Sequence, residues 1–408
     1  MRVEVLNTGS ELLLGHVVNT HLKYLAEALF PVGLRIGRQV TVPDGDPIRD
    51  ALAETLGRAD IVIVTGGLGP TTDDVTREAV AELLGLELVH DPEVMAAIEA
   101  RFARRGMQMS ARNGRQAQRP REATVLANAN GTAPGLHLPP LERAVRTPHF
   151  FLLPGPPREL KPMFEEAVLP ILRRVVPAGA VAEMRNFRLS GLGESLVEER
   201  VGPALLALGI ELGYCARPGE VDVRVIGAAA ELERAEEIIR SALGAHLVSQ
   251  DSRALEKVAV DLLTARGETL ATVESCTGGA LADRVTNVPG ASAVFMEGFV
   301  TYANEAKVRA VGVDPALIAA HGAVSREVAM AMAEGARRVT GADHALATTG
   351  IAGPGGGSVE KPVGTVFIAL ATKQGATVVE QQRFPTHRET FKQLVTQCAL
   401  DLLRRALV

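Results

Sequence analysis

Ser275 and Cys276 stand side by side in the run TLATVESCTGGALADRVT, where small and β-branched residues end in a glycine pair and a helical pattern begins. Strand, small polar turn and helix is how α/β enzymes present a nucleophile or bind an anion. Cysteine is the stronger nucleophile, and a helix N-terminus lowers its pKa. Serine needs a base. His321, His344 and His387 are the only histidines between residues 251 and 408, and each reads equally well as a surface residue, so a Ser-His-Asp arrangement has little support. A lysine serves instead when burial brings its pKa toward neutrality. The stretch FVTYANEAKVRAVG supplies Tyr302 at a strand end and Lys307 five residues on, suited to relay a proton from a hydroxyl. The plainer reading of that spacing is a buried tyrosine and a solvated lysine at a helix start. Spacing alone leaves the nucleophile open.

Two glycine-rich turns add further chemistry. TTGIAGPGGGS, residues 348–358, follows an apolar run and brings five glycines and several hydroxyls, with Thr349, Gly350 and Gly353 among them. Its N–H groups could line an anion cavity, although it has neither a Walker ending nor a following helix; the alternative is a flexible crossing between strands. Arg388 and Lys392 lie one helical turn apart in HRETFKQL, as cations for a phosphate or as a solvated helix face. Near the N-terminus, VTGGLGPTTDD places Gly66, Gly67, Gly69 and Thr71 before the pair Asp73 and Asp74. These carboxylates are hard ligands suited to Mg²⁺ bridging to a phosphate. Asp44, with Asp46 in VPDGD, falls on the same edge of a parallel sheet, where such sheets bind ligands. Helix capping by Asp73 or Thr72, with Asp74 favouring the dipole, explains part of the run and not all of it. A zinc site is not expected, since HExxH and paired CxxC motifs are missing.

The elements that must position these residues alternate. RVEVLN, ADIVIVTGG and HFFLLPGPP read as strands between helices NTHLKYLAEALF, DDVTREAVAELLG and RELKPMFEEAVLPILRRV. That alternation predicts an α/β domain over 1–170, with a mostly parallel sheet covered on both faces. The basic segment 105–122 reads as a mobile loop or a loose helical excursion over the site. Residues 171–250 change pattern, with strands NFRLSG and EVDVRVIGAA and helices ESLVEERVGPALLAL and ELERAEEIIRSALG, and predict a small α+β domain. Residues 251–408 predict a third, α/β domain through strands FMEGFVTY, HALATTGI and GTVFIALA. The length of 408 residues fits two or three domains. A net charge of −5 and 3% aromatics argue against nucleic-acid binding, and SGLGES in the middle domain is no basic-flanked GxxG loop. The middle domain is expected to be a spacer or dimerisation unit. Three scattered cysteines, a start without an apolar leader and no long apolar run imply a cytoplasmic, non-membrane protein.

Taken together the motifs resemble the full-length CinA competence/damage-inducible family across essentially the whole chain. GSELLLGHVVNT, VPDGD, TGGLGPTTDDVTREA, NANGTAPG and LPGPPRELKPMF are similar to its molybdopterin-binding-like domain. ESCTGG, VPGASAVFMEGFVTYANEAK and TTGIAGPGGGSVEKPVGTVFIALA are similar to its nicotinamide-nucleotide amidase domain. The resemblance implies a KH-like middle domain and action on small nucleotides; a homodimer is expected because a multidomain chain with a small middle unit needs its interfaces buried. It implies deamidation of nicotinamide mononucleotide to nicotinate mononucleotide and ammonia by Ser275, with Tyr302 and Lys307 as activating pair and Cys276 a bystander. The N–H groups of Thr277, Gly278 and Gly279 would hold the oxyanion, without any cofactor. Thr349, the loop with Gly350 and Gly353, Arg388 and, more weakly, Ser292 would bind ribose and phosphate.

For the N-terminal domain it implies hydrolysis of ADP-ribose to AMP and ribose 5-phosphate. Gly9, Glu11, Gly66, Gly67, Gly69, Thr71, Asn128 and Gly155 would bind the substrate. Asp44, Asp73 and Asp74 would hold a divalent metal, Mg²⁺ or similar, with a monovalent cation as a further option. Two positions depart from the family pattern: His21, where Asn is frequent, and Lys392, where a second Arg is frequent and a point charge replaces a fork. The rival readings are a molybdopterin-type nucleotide-binding protein and a non-enzymatic scaffold in competence or DNA repair.

Overall fold

The computed structural model describes residues 1–143, 145–177 and 182–408 and divides into two compact units, Met1–Val181 and Ala182–Val408. Residues 178–181, within the segment assigned above to the middle domain, lie outside the described residues.

The strands of the first unit are β1 (Val3–Thr8), β2 (Ile36–Val42), β3 (Ile61–Thr65), β4 (Leu88–His90), β5 (Gln118–Pro120), β6 (Thr124–Leu126), β7 (Gly135–Leu138) and β8 (His149–Leu153). Six of them form a sheet in the order β2-β1-β3-β8-β7-β6, in which β2, β1, β3 and β8 are parallel. Successive residues of β3 and β8 face opposite sides. Val62, Val64, Phe150 and Leu152 meet the helices Asp46–Ala53 and Thr76–Leu83, while Ile61, Ile63, Phe151 and Leu153 meet His21–Leu29 and the helical run from Pro157 to Val175. Helices therefore cover both faces, and the glycine turns after β1, β3 and β8 emerge together at the carboxyl edge.

Two local expectations change. The segment 105–122 is the helical excursion rather than the mobile loop: a capping box between Ser110 and Asn113 opens a 3₁₀ turn at Ala111–Ala117, and β5 then pairs with β4. Arg115 from this segment donates to the carbonyls of Thr71 (2.6 Å) and Asp74 (3.2 Å), pinning the loop it was expected to hang over. The helix after the glycine turn starts at Thr76 with Val75 as an N-cap that gives no side-chain bond, so neither Thr72 nor Asp73 caps it.

In the second unit, β9 (Glu183–Ser190), β10 (Glu211–Arg217), β11 (Glu220–Gly227) and β12 (Leu247–Ser249) form an antiparallel sheet ordered β10-β11-β9-β12. The helices Glu194–Leu206 and Ala229–Leu243 cover one face around Phe187, Leu189, Val223 and Ile239. The last sheet, β14-β13-β15-β16-β17, combines β13 (Leu270–Glu274), β14 (Phe295–Val300), β15 (His344–Gly350), β16 (Thr365–Thr372) and β17 (Val378–Arg383). β13 runs parallel to β14 and β15, and β16 and β17 are antiparallel. Its helices Leu255–Arg266 and Arg388–Leu407 pack on one face and Arg326–Thr340 on the other. Because β13 lies between two parallel neighbours, Ser275 leaves the sheet in a crevice between the ends of β14 and β15. Among the described residues no helix is long and apolar enough to cross a membrane.

Candidate active sites

Ser275 follows β13 directly, half-buried, and its N–H donates to Thr348 O on β15 at 2.9 Å. Lys307, in the helix Asn304–Val311 after β14, is 1% exposed, which removes the reading of a solvated lysine. Its Nζ lies 3.3 Å from Ser275 Oγ, 2.9 Å from Thr301 O and 3.3 Å from Tyr302 O. Three oxygens match the three N–H groups of an ammonium. When one proton leaves, the two carbonyls retain two N–H groups and the remaining lone pair faces the serine hydroxyl. Burial holds this lysine below the usual lysine range.

Cys276 points the other way. It is 5% exposed within the apolar core beside Leu281 and Leu346, and burial pushes its thiol up to about 12. A protonated thiol in a core is inert, so the geometry selects Ser275.

Glu274, the last residue of β13, is fully buried, and its carboxylate accepts from the N–H groups of Gly279 (3.0 Å), Leu281 (2.9 Å) and Ala282 (2.8 Å). The anion at the start of the helix Ala280–Thr286 is thus the chain's own side chain. This corrects the oxyanion expectation: Gly279 N–H is committed to Glu274, and Gly278 N–H to Ser275 O at 3.2 Å. That leaves the N–H groups of Cys276, which faces its own thiol, and of Thr277 as the turn's remaining donors. Glu274 was legible as a residue of the motif, but a carboxylate ending a buried strand carries no sequence signal of a cap aimed forward across five residues.

The Tyr302 hydroxyl accepts from Arg388 Nη2 at 2.8 Å, and its ring is 59% exposed. Lys307 touches Ser275 directly, so the tyrosine contributes its carbonyl to the pair and its hydroxyl to Arg388 rather than a relay. Arg388 also donates to Gly353 O at 3.0 Å, tying the glycine loop to the end of β14. A Cβ at Gly278 would stand 3.8 Å from Lys392 Nζ, which puts this second cation against the nucleophile turn. Two expected ligands serve the scaffold: Thr349 is buried with its hydroxyl donating to Ala323 O at 2.8 Å, and Gly350 is packed against Thr365 O and Val366. Ser292 is misplaced. It precedes β14 whereas Ser275 follows the parallel β13, so a strand length on the order of 15–20 Å separates them.

In the first unit the carboxyl-edge turns enclose a cavity of about 350 Å³, lined by Gly9, Glu11, Gly66, Gly67, Gly69 and Gly155 together with Asp44, Asp73 and Asp74. Gly67 has φ +68°, and a Cβ there would overlap Thr76 Oγ1 at 2.0 Å, so only glycine fits this turn. The carboxylates converge on the cavity but serve their own loops. Asp44 Oδ2 accepts from Ser10 N and Oγ, both at 3.0 Å, and Asp74 Oδ2 accepts from Thr71 N at 2.9 Å and from the Thr71 hydroxyl. Asp73, beside the same Thr71 side chain, is held below the usual carboxylate range. Thr71 is therefore a support for the acids, not part of the lining. Among the described residues no three His, Cys, Asp or Glu side chains come together to hold a metal ion. The expected triad is thus incomplete as a protein-only site. It does suit an ion arriving with phosphate oxygens, since Mg²⁺ is commonly held by one or two carboxylates plus substrate.

Asn128 is outside this cavity and shapes its wall, donating to Glu159 Oε2 (2.9 Å) and Ala133 O (2.7 Å). Gln116, Thr132 and Glu159 line the site and were not expected. His21 Nδ1 stands 3.3 Å from Thr65 Oγ1, which donates to the buried Asn7 Oδ1 at 2.9 Å; burial holds the imidazole below its usual range. This His21 belongs to the support beneath the glycine turn.

Comparisons with known proteins give three family matches along the chain. Residues 4–174 match a probable molybdopterin binding domain, 184–245 the damage-inducible protein CinA KH domain, and 252–407 the CinA C-terminal domain. The architecture is therefore that of a molybdopterin-binding-type α/β domain joined through a KH-like domain to a CinA C-terminal α/β domain. A CinA-like protein of Akkermansia muciniphila is 48% identical over 401 residues, covering 98% of this chain and 96% of its own. A putative competence-damage inducible protein of Moorella thermoacetica is 45% identical over 418 residues, covering 100% of this chain and 99% of its own. The crystal structure of competence/damage inducible protein CihA from Agrobacterium tumefaciens, 42% identical, covers 38% of this chain and 93% of that one with a TM-score of 0.37. The chain belongs to the CinA family of competence/damage-inducible proteins.

Proposed function

We propose that the C-terminal domain is a serine amidohydrolase that converts nicotinamide mononucleotide to nicotinate mononucleotide and ammonia. The observation that carries this reading is the fully buried Lys307 with Nζ 3.3 Å from Ser275 Oγ. Neutral Lys307 takes the serine proton as Oγ attacks the carboxamide carbon, and the N–H groups of Cys276 and Thr277 receive the developing oxyanion. Lys307 returns the proton to the departing ammonia. It then deprotonates the water that cleaves the acyl-enzyme, releasing the carboxylate and restoring Ser275. Arg388 and Lys392 supply the cations for the 5′-phosphate.

The N-terminal domain is proposed to hydrolyse the pyrophosphate of ADP-ribose to AMP and ribose 5-phosphate. The glycine turns offer N–H groups to phosphate oxygens, and Asp44, Asp73 and Asp74 would hold a divalent ion that offsets charge on the pyrophosphate. The three carboxylates on one cavity of about 350 Å³ beside the glycine turns support this reading.

Ammonia release from nicotinamide mononucleotide tests the first activity, with Ser275→Ala and Cys276→Ala run alongside. Loss in Ser275→Ala with retention in Cys276→Ala is expected. Loss only in Cys276→Ala would overturn the nucleophile, and silence of the unmutated protein would overturn the amidase. Release of AMP from ADP-ribose with added Mg²⁺ tests the second.

A further inference from the structure

In the second unit a cleft of about 800 Å³ opens where the antiparallel sheet meets the last domain. β9 and the helix Ala229–Leu243 contribute Arg185, Glu236 and Arg240 to it. The helix Leu255–Arg266 contributes Val258 and Leu262, and the connection between the domains adds Asp251 and Arg253. Ligand cavities of roughly 300–1,000 Å³ occur preferentially at such domain junctions. The cleft is separate from the Ser275 site: about 24 Å of the last helix runs between Arg388 and Arg404, which reaches the cleft.

Its positive charge is only partly used. Arg240 donates to Glu236 from Nε (2.9 Å) and Arg185 donates to Glu236 from Nη1 (3.0 Å). Arg253 donates to Asp251 from Nε (3.0 Å) and to Asp261 from Nη1 (2.9 Å). Among the described residues these bonds leave both Nη groups of Arg240, and Nη2 of Arg185 and of Arg253, for something in the cleft. Arg404 differs. Its Nε goes to Asp401 and its Nη groups to the carbonyls of Leu247 and Ala245, so it fixes the seam. Four guanidinium groups thus stand against two carboxylates in the lining, Glu236 and Asp251. The backbone points the same way. Among the described residues Ser252, at φ +64°, is the one residue other than glycine with positive φ. It sits between Asp251 and Arg253, and its hydroxyl accepts from Asn186 Nδ2 at 2.9 Å. Such backbone persists where its surroundings over-determine it, and it clusters at ligand clamps.

We propose that this cleft is a nucleotide site distinct from both candidate active sites, binding a nucleoside diphosphate. The free N–H groups of Arg185, Arg240 and Arg253 take the phosphate oxygens, because guanidinium forks match phosphate geometry and make charge-assisted bonds to it. Val258 and Leu262 take a face of the base. Pyrophosphate alone would engage the arginines and leave that apolar side bare, so the base is what makes the occupant a nucleotide.

Gly244 lines the cleft with right-handed helical backbone, and a Cβ there meets nothing within 4 Å, so Gly244→Trp fills the space without entering the core. Arg240→Ala removes a half-exposed cation while Arg185 and Gln250 still hold Glu236. Unchanged thermal unfolding checks both folds, and should Gly244→Trp melt early, Arg240→Ala decides alone. The full chain is titrated calorimetrically with ADP, and because ADP also suits the glycine turns, the readout is the number bound per chain. Gly244→Trp is expected to lower that number by one, and Arg240→Ala to weaken the same site at least tenfold. No ADP bound by the unmutated chain, or number and affinity unchanged in the variants, would overturn the site. Pyrophosphate bound at the Arg240-dependent site as tightly as ADP would overturn the nucleoside part. Failure of either hydrolytic reading leaves this count untouched.

Discussion

The two candidate sites use the same architectural position, the carboxyl edge of a parallel sheet, yet differ in readiness. In the C-terminal domain base and nucleophile already touch, and the lysine is stripped of water by burial. In the N-terminal domain Asp44 and Asp74 are turned to their own loops, and no metal-holding group of three forms among the described residues. A hydrolysis that needs only a desolvated amine can be assembled by packing alone. One that works on a pyrophosphate leaves charge to be balanced by an ion that arrives with it. The difference is between a site finished by folding and a site finished by its substrate.

The sharpest way to break that contrast is at the lysine. Lys307→Met should lower ammonia release by about 10²–10⁴-fold, the usual worth of a positioned general base, with ADP-ribose hydrolysis unchanged. In the unmutated protein kcat/KM should rise with pH as the ammonium loses its proton, with the limb below 10.5 because burial lowers this group. A pH-independent rate would remove Lys307 from the role of base. Next comes the ion: EDTA should abolish AMP release and leave ammonia release intact. Equal sensitivity of both activities would erase the distinction.

Glu274→Gln tests whether folding finishes the first site. It sets an NH₂ group against backbone N–H donors that now share a carboxylate, leaving a buried donor unpaired at about 1–3 kcal/mol. Melting of the second unit should fall by several degrees and kcat by roughly tenfold. An unaltered kcat would show that the turn holds its shape without the carboxylate.

The smallest effect concerns the first unit alone. His137 Nε2 and His149 Nδ1 are 3.1 Å apart on neighbouring strands, and burial lowers the His137 pKa from 6.5 to about 4. The fold keeps this ring neutral while the unfolded chain protonates it near 6.5. Stability is therefore complete above that value, declines as pH falls toward about 4 and levels off below. His137→Phe should flatten that part of the curve in denaturant titrations.

Much of this was legible in the residues. Continuous apolar runs in strand–helix alternation marked the parallel strands β1, β3 and β8, which helices cover on both faces. β10 and β17 were not read, because ELGYCAR carries a glycine and small residues and VVEQQR is an outer strand with a polar face. The motif residues Ser275 and Lys307 were identified, but whether the lysine was buried and the cysteine turned inward depends on tertiary packing. Ser292 failed for a topological reason: nearness in a motif does not say at which end of a parallel strand a residue falls. The acids around the glycine turn were correctly gathered, yet their hydrogen bonds to Ser10 and Thr71 depend on loop shape, which composition does not encode.

The middle sheet bears on whether the C-terminal domain is a separable part. Gln397, in the last helix, donates to Glu220 Oε1 at 3.0 Å and accepts from Arg284 of the nucleophile helix at 2.8 Å. Arg404, 4% exposed on the same helix, donates to Leu247 O (3.1 Å) and Ala245 O (2.9 Å). A chain cut at residue 251 would strip a sunken guanidinium of two of its acceptors and uncover the flank of its longest helix. Genetic shuffling could therefore not lift this C-terminal domain out unchanged. A free-standing version would have to resurface that helix first.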